Sequence, residues 1–439
     1  YRRYILLYPI KFTQNILQYQ KIVCDMKIGF IITNYEKTIF PDIANSLSSL
    51  GHRVVIFTDH KNIPNVKKLI YFKKNEIEFF LINNKKHHPV LALFDKLFKI
   101  FSKTGERRFF TLLYSIYKFI KKNKDCDFFI AEWDWTAFMV SIVNLFIRFK
   151  LIVGVHELNN LKISVDYPGR ENKYWLYKIK QWVYKRAYLI RVNSYVTEKF
   201  LKESGCNPEK IRVIPLHIPN WMLTNKNENL IEFRCRNREE IFNKYKIEKN
   251  HKLLITMCNL KPVKGLDLAI LALPYILKNN PNITLMICGD DRMIKRLGSY
   301  KNYLENLAQK MNIKQHIIFT GFISIEEVKK YLAAADIHLA PSIIDTFNYA
   351  VVEAALVGTF SLVSSNVGSA YWVKEAKLCE IISESTPKVW ANAVLKHLSE
   401  NKQIDIIECS KYLYNKLQPN KIAEDILIAI RGNNLNVFR

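Results

Sequence analysis

From Lys27 onward, short apolar runs alternate with longer amphipathic stretches along the chain. This is the pattern of parallel strands wrapped by helices. In the first half it predicts strands over Ile28–Thr33, Arg53–Thr58, Asp127–Ala131, Leu151–His156, Tyr188–Asn193 and Ile211–Pro215, with a helix over Phe40–Leu50 turned by Gly51-His52. Phe94–Lys124 reads as broadly helical, with a possible break at Gly105. A second series predicts strands over Leu253–Cys258, Thr284–Cys288, Ile317–Thr320, Ile337–Ala340, Ser361–Ser364 and Leu378–Ile382. Its helices fall over Leu266–Lys278, Tyr300–Met311, Ile325–Ala335, Asn348–Val357 and Pro387–Glu400, and Ile404–Leu417 and Lys421–Ile430 form a helical tail. The expected fold class is α/β, with two Rossmann-like, doubly wound parallel-sheet domains. Ligands of such sheets bind beyond the carboxyl ends of the strands, so the central cleft between the domains is the expected site.

The boundaries follow from shifts in this pattern. Residues 1–25 form an extension of uncertain structure without a clear signal peptide, and Met26-Lys27-Ile28 reads as the start of a domain spanning 26–218. Residues 219–250, rich in Asn, Glu, Lys and Arg, read as a linker and one helix. The second domain spans 251–417, and 418–439 form a C-terminal helix and tail able to cross back to the first domain. No run reaches the ~20 apolar residues of a membrane-spanning helix. Thr136–Phe149, the nearest, reads as a buried helix.

Charge changes the picture. Of the 439 residues, 66 are Lys or Arg and 40 Asp or Glu, a net +26. Residues 1–219 carry +19 and residues 220–439 only +7. A one-sided surplus points to an anionic partner of the first half, such as a membrane surface or a phosphate-bearing substrate, and Lys-rich composition is the bland alternative. No recognised nucleic-acid-binding motif accompanies the charge. The eight cysteines lie apart, several in apolar runs and without a CxxC pair, which fits a reducing compartment and no structural zinc.

The candidate chemistry centres on Pro341–Ala355, where Asp345 and Glu353 stand eight positions apart around a loop and the start of a helix. A helix N-terminus attracts phosphate, and a carboxylate on either side suits hydroxyl-bearing groups joined to it. A capped helix with an exposed Glu353 fits the same pattern equally well taken alone. Asn259–Gly265 joins the first strand of the second series to its helix, and its Lys264 and Gly265 can bring an ammonium and close backbone to a diphosphate. Glu132-Trp133-Asp134 imitates a DxD metal motif, a tripeptide common by chance.

In order and spacing these pieces resemble family 4 (GT4) of the retaining glycosyltransferases, which have the GT-B fold. The resemblance runs from about Met26 to about Leu398. It is carried by Leu50-Gly51-His52-Arg53-Val54, Gly154-Val155-His156-Glu157 and Arg212-Val213-Ile214-Pro215 in the first domain. In the second it is carried by Leu260–Ala269, Ile287-Cys288-Gly289-Asp290, Phe319–Ile323 and Ala335–Ser342, with Asp345 and Glu353 in the EX7E positions. It implies an acceptor domain followed by a nucleotide-sugar donor domain. Lys264, with Gly265, would bind the donor diphosphate, assisted by backbone near Thr346, Phe347 and Asn348. Glu353 would hold the ribose, and Asp345 the transferred sugar. His156 would face that sugar across the cleft, and backbone at Gly321 and Phe322 would meet the base. The donor would be UDP- or GDP-linked, with no cofactor and no metal. Four features depart from the family: Asp345 stands for the usual Glu, Asn259 for a diphosphate-binding Arg, the loop Thr33–Thr38 lacks the usual glycines, and Leu216-His217 replaces an Asn-Gly after the domain-closing Pro215.

The expected function is therefore transfer of a sugar from a nucleotide-sugar to an envelope glycan or glycolipid acceptor, such as lipopolysaccharide, capsule or a lipid-linked oligosaccharide. The departures at Asp345 and Asn259 motivate the alternative of a catalytically weak nucleotide- or glycan-binding subunit. Aromatic and basic residues over Phe94–Lys124 and Tyr174–Arg186 suit contact with an anionic membrane as well as ordinary core packing. The expected location is cytoplasmic, peripheral at the inner face of the cell membrane.

Overall fold

A computed structural model of the chain describes residues 26–32, 40–59, 77–82, 90–91, 95–96, 109–132, 134–156, 174–219, 222, 229–294, 298–400 and 404–435. The first domain runs β1 (Lys27–Ile31), α1 (Phe40–Ser49), β2 (Arg53–Asp59), β3 (Ile77–Ile82), α2 (Phe109–Lys122), β4 (Phe128–Glu132), α3 (Asp134–Phe146), β5 (Leu151–Val155), α4 (Tyr174–Arg186), β6 (Leu189–Val192), α5 (Tyr195–Glu203) and β7 (Ile211–Val213). Its seven strands pair in parallel in the order β3-β2-β1-β4-β5-β6-β7. Because strands of such a sheet are buried on both faces, they read as continuous apolar runs, and β4 and β5 are buried at every position.

The second domain opens with α6 (Leu230–Tyr245) and β8 (Lys252–Met257), followed by α7 (Leu266–Leu277), β9 (Ile283–Cys288), the short hairpin β10 (Met293–Ile294) and β11 (Gly298–Ser299), and α8 (Tyr300–Lys310). It continues through β12 (Ile317–Gly321), α9 (Ile325–Ala334), β13 (Ile337–Ala340), α10 (Tyr349–Leu356), β14 (Phe360–Ser364), α11 (Ala370–Glu375), β15 (Cys379–Ile382), α12 (Pro387–Ser399), α13 (Ile406–Leu417) and α14 (Pro419–Leu435). The six-stranded parallel sheet has the order β12-β9-β8-β13-β14-β15. Strand order reverses beside β1 and β4 in one sheet and beside β8 and β13 in the other, which opens a crevice at each set of carboxyl ends. The expected two-domain, doubly wound α/β fold is the fold observed.

Elements additional to the expected ones include β3, α5, the β10–β11 hairpin and α11. Strand β3 is a lone apolar run, and the others are too short to develop a clear period. The described part of Phe94–Lys124 consists mainly of α2, whose Phe109, Leu112, Ile116, Phe119 and Ile120 are buried in the first core. Its apolar face is thus core, while Lys118, Lys121 and Lys122 are exposed; Phe98, Phe101 and Gly105 lie outside the described residues. In α4, Val183 and Tyr184 enter the same core.

Two segments tie the domains together. Leu216, Ile218 and Met222 pack with Phe347, Val351 and Val352 of the second domain. Helix α14 returns to the first domain, where Ile422, Ile426, Leu427 and Ile430 pack against Ile28, Phe30, Ile43 and Leu47. Burying such aliphatic side chains contributes about 1.5–3 kcal/mol each against exposure, so both segments hold the domains together, and Leu216 and Phe347 do so from the wall of the cleft itself. No described helix is long and apolar enough to cross a membrane.

Candidate functional site

The cleft encloses a cavity of about 600 Å³, lined from the first domain by His156, Asn193 and Leu216 and from the second by residues that follow strands β8, β9, β12 and β13. Nine of the eleven residues singled out in the sequence line it: His156, Asn259, Lys264, Phe322, Asp345, Thr346, Phe347, Asn348 and Glu353. Gly265 and Gly321 do not line it, and they act on its walls through the backbone.

Gly265 caps α7 in the left-handed region, with φ of 64°. A Cβ there would lie 2.0 Å from the Pro341 carbonyl oxygen. The Val263 carbonyl accepts a bond of 2.9 Å from the Ile343 amide. The loop of Lys264 is thereby pressed against the loop of Asp345, and their side chains form an ion pair. Burial opposes the ammonium of Lys264, but the Asp345 carboxylate outweighs it and holds Lys264 above the usual lysine range. At the other edge, Gly321 has φ of 74°, and its carbonyl accepts from the Gly289 amide at 3.0 Å. The neighbouring Phe322 ring is left 75% exposed on the cavity wall, a flat surface offered to a planar ligand.

The loop from Asp345 to α10 is held by the turn after β14. The Asp345 amide donates to the Asn366 carbonyl at 3.0 Å, Gly368 donates to the Asp345 carbonyl at 2.9 Å, and Ser369 donates to the Phe347 carbonyl at 2.7 Å. Asn348 caps α10 with φ of 67°, and Ser369 Oγ donates to its carbonyl at 3.0 Å. Phe347 is buried beside Trp372, so the first amides of α10 are presented to the cavity on a rigid base. Glu353 lies one turn further along α10, and burial alone pushes its carboxyl up to about 7.

Across the cleft, His156 follows β5, and its Nε2 lies 2.5 Å from Oε2 of Glu132 at the end of β4. Glu132 is fully buried, and its Oε1 accepts from Arg191 Nη1 at 3.3 Å. Arg191 Nη2 also donates to the Pro215 carbonyl at 3.2 Å. Burial raises Glu132, but His156 and then Arg191 outweigh it and hold the carboxyl below its ordinary range. A Cβ at Gly154 would fall 1.5 Å from Glu132 Oε2, so that glycine makes room for the carboxylate. In the sequence alone Glu132 reads as part of a chance metal motif. Its signal was an acid closing an apolar strand one strand away from a glycine two residues before a histidine. In the fold it orients His156, and with both oxygens engaged it is not free to ligate a metal.

The two walls also touch directly. Thr346 Oγ1 donates to the His156 carbonyl at 2.8 Å, and Tyr349 Oη donates to the His217 carbonyl at 3.1 Å. The buried His217 ring lies 3.2 Å from Asp42. The Leu216-His217 pair, which departs from the family pattern, is therefore part of the domain contact.

The arrangement sets an ammonium, helix-terminal amides and two carboxylates from the second domain against an oriented imidazole from the first. Residues 40–219 match the model of glycosyltransferase family 4, and residues 237–412 that of glycosyl transferases group 1. An uncharacterized glycosyltransferase of Methanocaldococcus jannaschii is 28% identical over 197 residues, 44% of this chain and 45% of that protein, so the match spans less than half of that relative. The alpha-monoglucosyldiacylglycerol synthase of Streptococcus pneumoniae is 22% identical over 346 residues, 76% of this chain and 70% of its own length. Among solved structures, the Anabaena HepE protein in complex with UDP superposes with a TM-score of 0.66 at 16% identity, covering 93% of this chain and 100% of that one.

Proposed function

The chain belongs to the GT4-type glycosyltransferases with the GT-B fold, and from that premise we propose that it transfers a sugar, with retention, from a UDP- or GDP-sugar to a glycolipid or other envelope glycan. The observation that carries this reading is the cluster of Lys264, Asp345 and Glu353 around the start of α10, facing His156 across the cleft. Lys264 and the first amides of α10 supply positive charge to a leaving diphosphate, without need of a metal. Glu353, once ionised, accepts hydrogen bonds from the ribose hydroxyls. Asp345 meets hydroxyls of the transferred sugar, and His156, held by Glu132, faces its anomeric carbon. Phe322 gives the base a surface on which to lie.

In a front-face reaction the acceptor oxygen bonds to the anomeric carbon on the side from which the diphosphate leaves. The bond to the diphosphate oxygen breaks with its electron pair, and that oxygen takes the acceptor proton. The name of the streptococcal relative supports a glycolipid acceptor, and the UDP bound by the Anabaena protein supports a uridine donor. The +19 of residues 1–219 supports a peripheral site on the inner, anionic face of the cell membrane.

A donor panel of UDP-, GDP- and ADP-sugars with diacylglycerol, glucosyldiacylglycerol and lipopolysaccharide-core acceptors tests the reading by nucleotide release. Proton NMR of the product tests retention, and an inverted anomeric centre refutes it. Flotation with and without anionic lipid tests the membrane site; equal binding to neutral vesicles refutes the electrostatic part. The engagement of Lys264 by Asp345 favours one other reading, a nucleotide-binding subunit, which calorimetric binding without transfer to any acceptor would establish.

A further inference from the structure

The described lining of the cavity is poorly matched to the diphosphate of the proposed function. It carries three carboxylates, Asp290, Asp345 and Glu353, against one lysine, Lys264, which is already ion-paired to Asp345. The imidazole of His156 is likewise engaged by Glu132. A nucleoside diphosphate brings at least two further negative charges, so a second cation is needed at the rim.

The fold places one there. Beyond β8 and β9 the two strand exits continue side by side: the Leu260 amide donates to the Asp290 carbonyl at 2.9 Å, and Leu260 pairs with Asp291 in a parallel bridge. This register sets Arg292 beside the cavity wall, with Nη2 3.4 Å from Asn259 Oδ1 and 3.7 Å from Asp290 Oδ2, both on lining residues. Its backbone is anchored from the preceding residue, because the Asp291 carboxylate accepts from Ser299 Oγ at 2.6 Å and from the Lys301 amide at 2.9 Å. Its side chain is 48% exposed, and its carboxylate partner is 49% exposed. Such an exposed pair is weak and readily exchanged for a stronger anion. A guanidinium presents parallel donors that fit two phosphate oxygens at once.

We propose that Arg292 is a diphosphate-binding residue, which turns from Asp290 and Asn259 onto the phosphate oxygens when the donor enters. The proposal rests on the nucleotide-sugar reading above, and it assigns the second phosphate cation of that site to the loop after β9.

Calorimetry tests it with UDP, GDP, uridine and guanosine on the full chain, as wild type, Arg292→Ala, Arg292→Lys and the double variant Arg292→Ala/Asn259→Arg. For whichever diphosphate the wild type binds, Arg292→Ala should weaken binding by roughly 10- to 100-fold, the worth of charge-assisted hydrogen bonds, and leave the matching nucleoside unaffected. Arg292→Lys should recover part of the loss, and Asn259→Arg most of it, by returning a guanidinium from the adjoining strand exit. Equal diphosphate affinity in wild type and Arg292→Ala overturns the inference alone. Loss of nucleoside and diphosphate affinity together also overturns it, since it marks a distorted pocket. A wild type that binds neither diphosphate overturns the nucleotide-sugar reading and the inference with it.

Discussion

Replacing Glu353 by Gln isolates one carboxyl whose ionisation couples folding to ligand binding. Its carboxyl is raised by burial from 4.5 to about 7 in the folded chain. The folded state therefore holds a proton that the unfolded state has released across that interval, so stability falls as pH rises. The contribution is complete below about pH 4.5 and lost through pH 7, and its upper bound between pH 5 and pH 8 is about 2.5 kcal/mol. Gln keeps the volume and cannot ionise. Urea unfolding of both proteins at pH 5, 6, 7 and 8 should give a wild-type curve that drops relative to Glu353→Gln by up to this amount. If ribose hydroxyls bond only to the ionised form, nucleotide affinity should also rise about tenfold from pH 6 to pH 8 in the wild type beyond any change in Glu353→Gln. The variant cancels the titration of the nucleotide's own phosphate. A stability difference independent of pH, or the same affinity profile in both proteins, would refute the reasoning.

Glu132→Ala should cost about 3–5 kcal/mol in unfolding experiments, since it leaves Arg191 buried without its carboxylate. Glu132→Gln should cost less, and lower kcat for nucleotide release more than it raises donor KM, because it loosens His156 rather than the diphosphate grip. Gly265→Ala should destabilise the second domain by about 2 kcal/mol or more, from left-handed backbone and the clash with Pro341; thermal unfolding checks this. Nucleotide release should persist in excess EDTA, since the proposed site draws its positive charge from Lys264, Arg292 and the helix terminus rather than from a metal.

The regular framework was legible because buried parallel strands appear as apolar runs and their helices as amphipathic ones. The Lys264 loop and the Asp345…Glu353 spacing stood out for the same local reason: each lies within a single strand–loop–helix unit. The Glu132–His156–Arg191 set did not, because three different strand ends bring it together, and the register between β4, β5 and β6 is not written in any one of them. Arg292 was hidden similarly, since its place beside Asn259 depends on two strand exits pairing beyond the sheet. His217 read as a departure from a pattern, and only the folded chain gives its carbonyl a partner in Tyr349. Strand β3 and the β10–β11 hairpin lacked a repeating pattern long enough to mark them.

The central claim is that the cleft around Lys264 turns over a nucleotide-sugar. Its most direct test is nucleotide release from UDP- and GDP-sugars by the purified chain and by Lys264→Ala, with the lipid acceptor panel present. The wild type should release one nucleotide, and the variant should lose at least about 100-fold in kcat/KM, the scale of a removed charge on a leaving diphosphate. Equal turnover by the two proteins would contradict it.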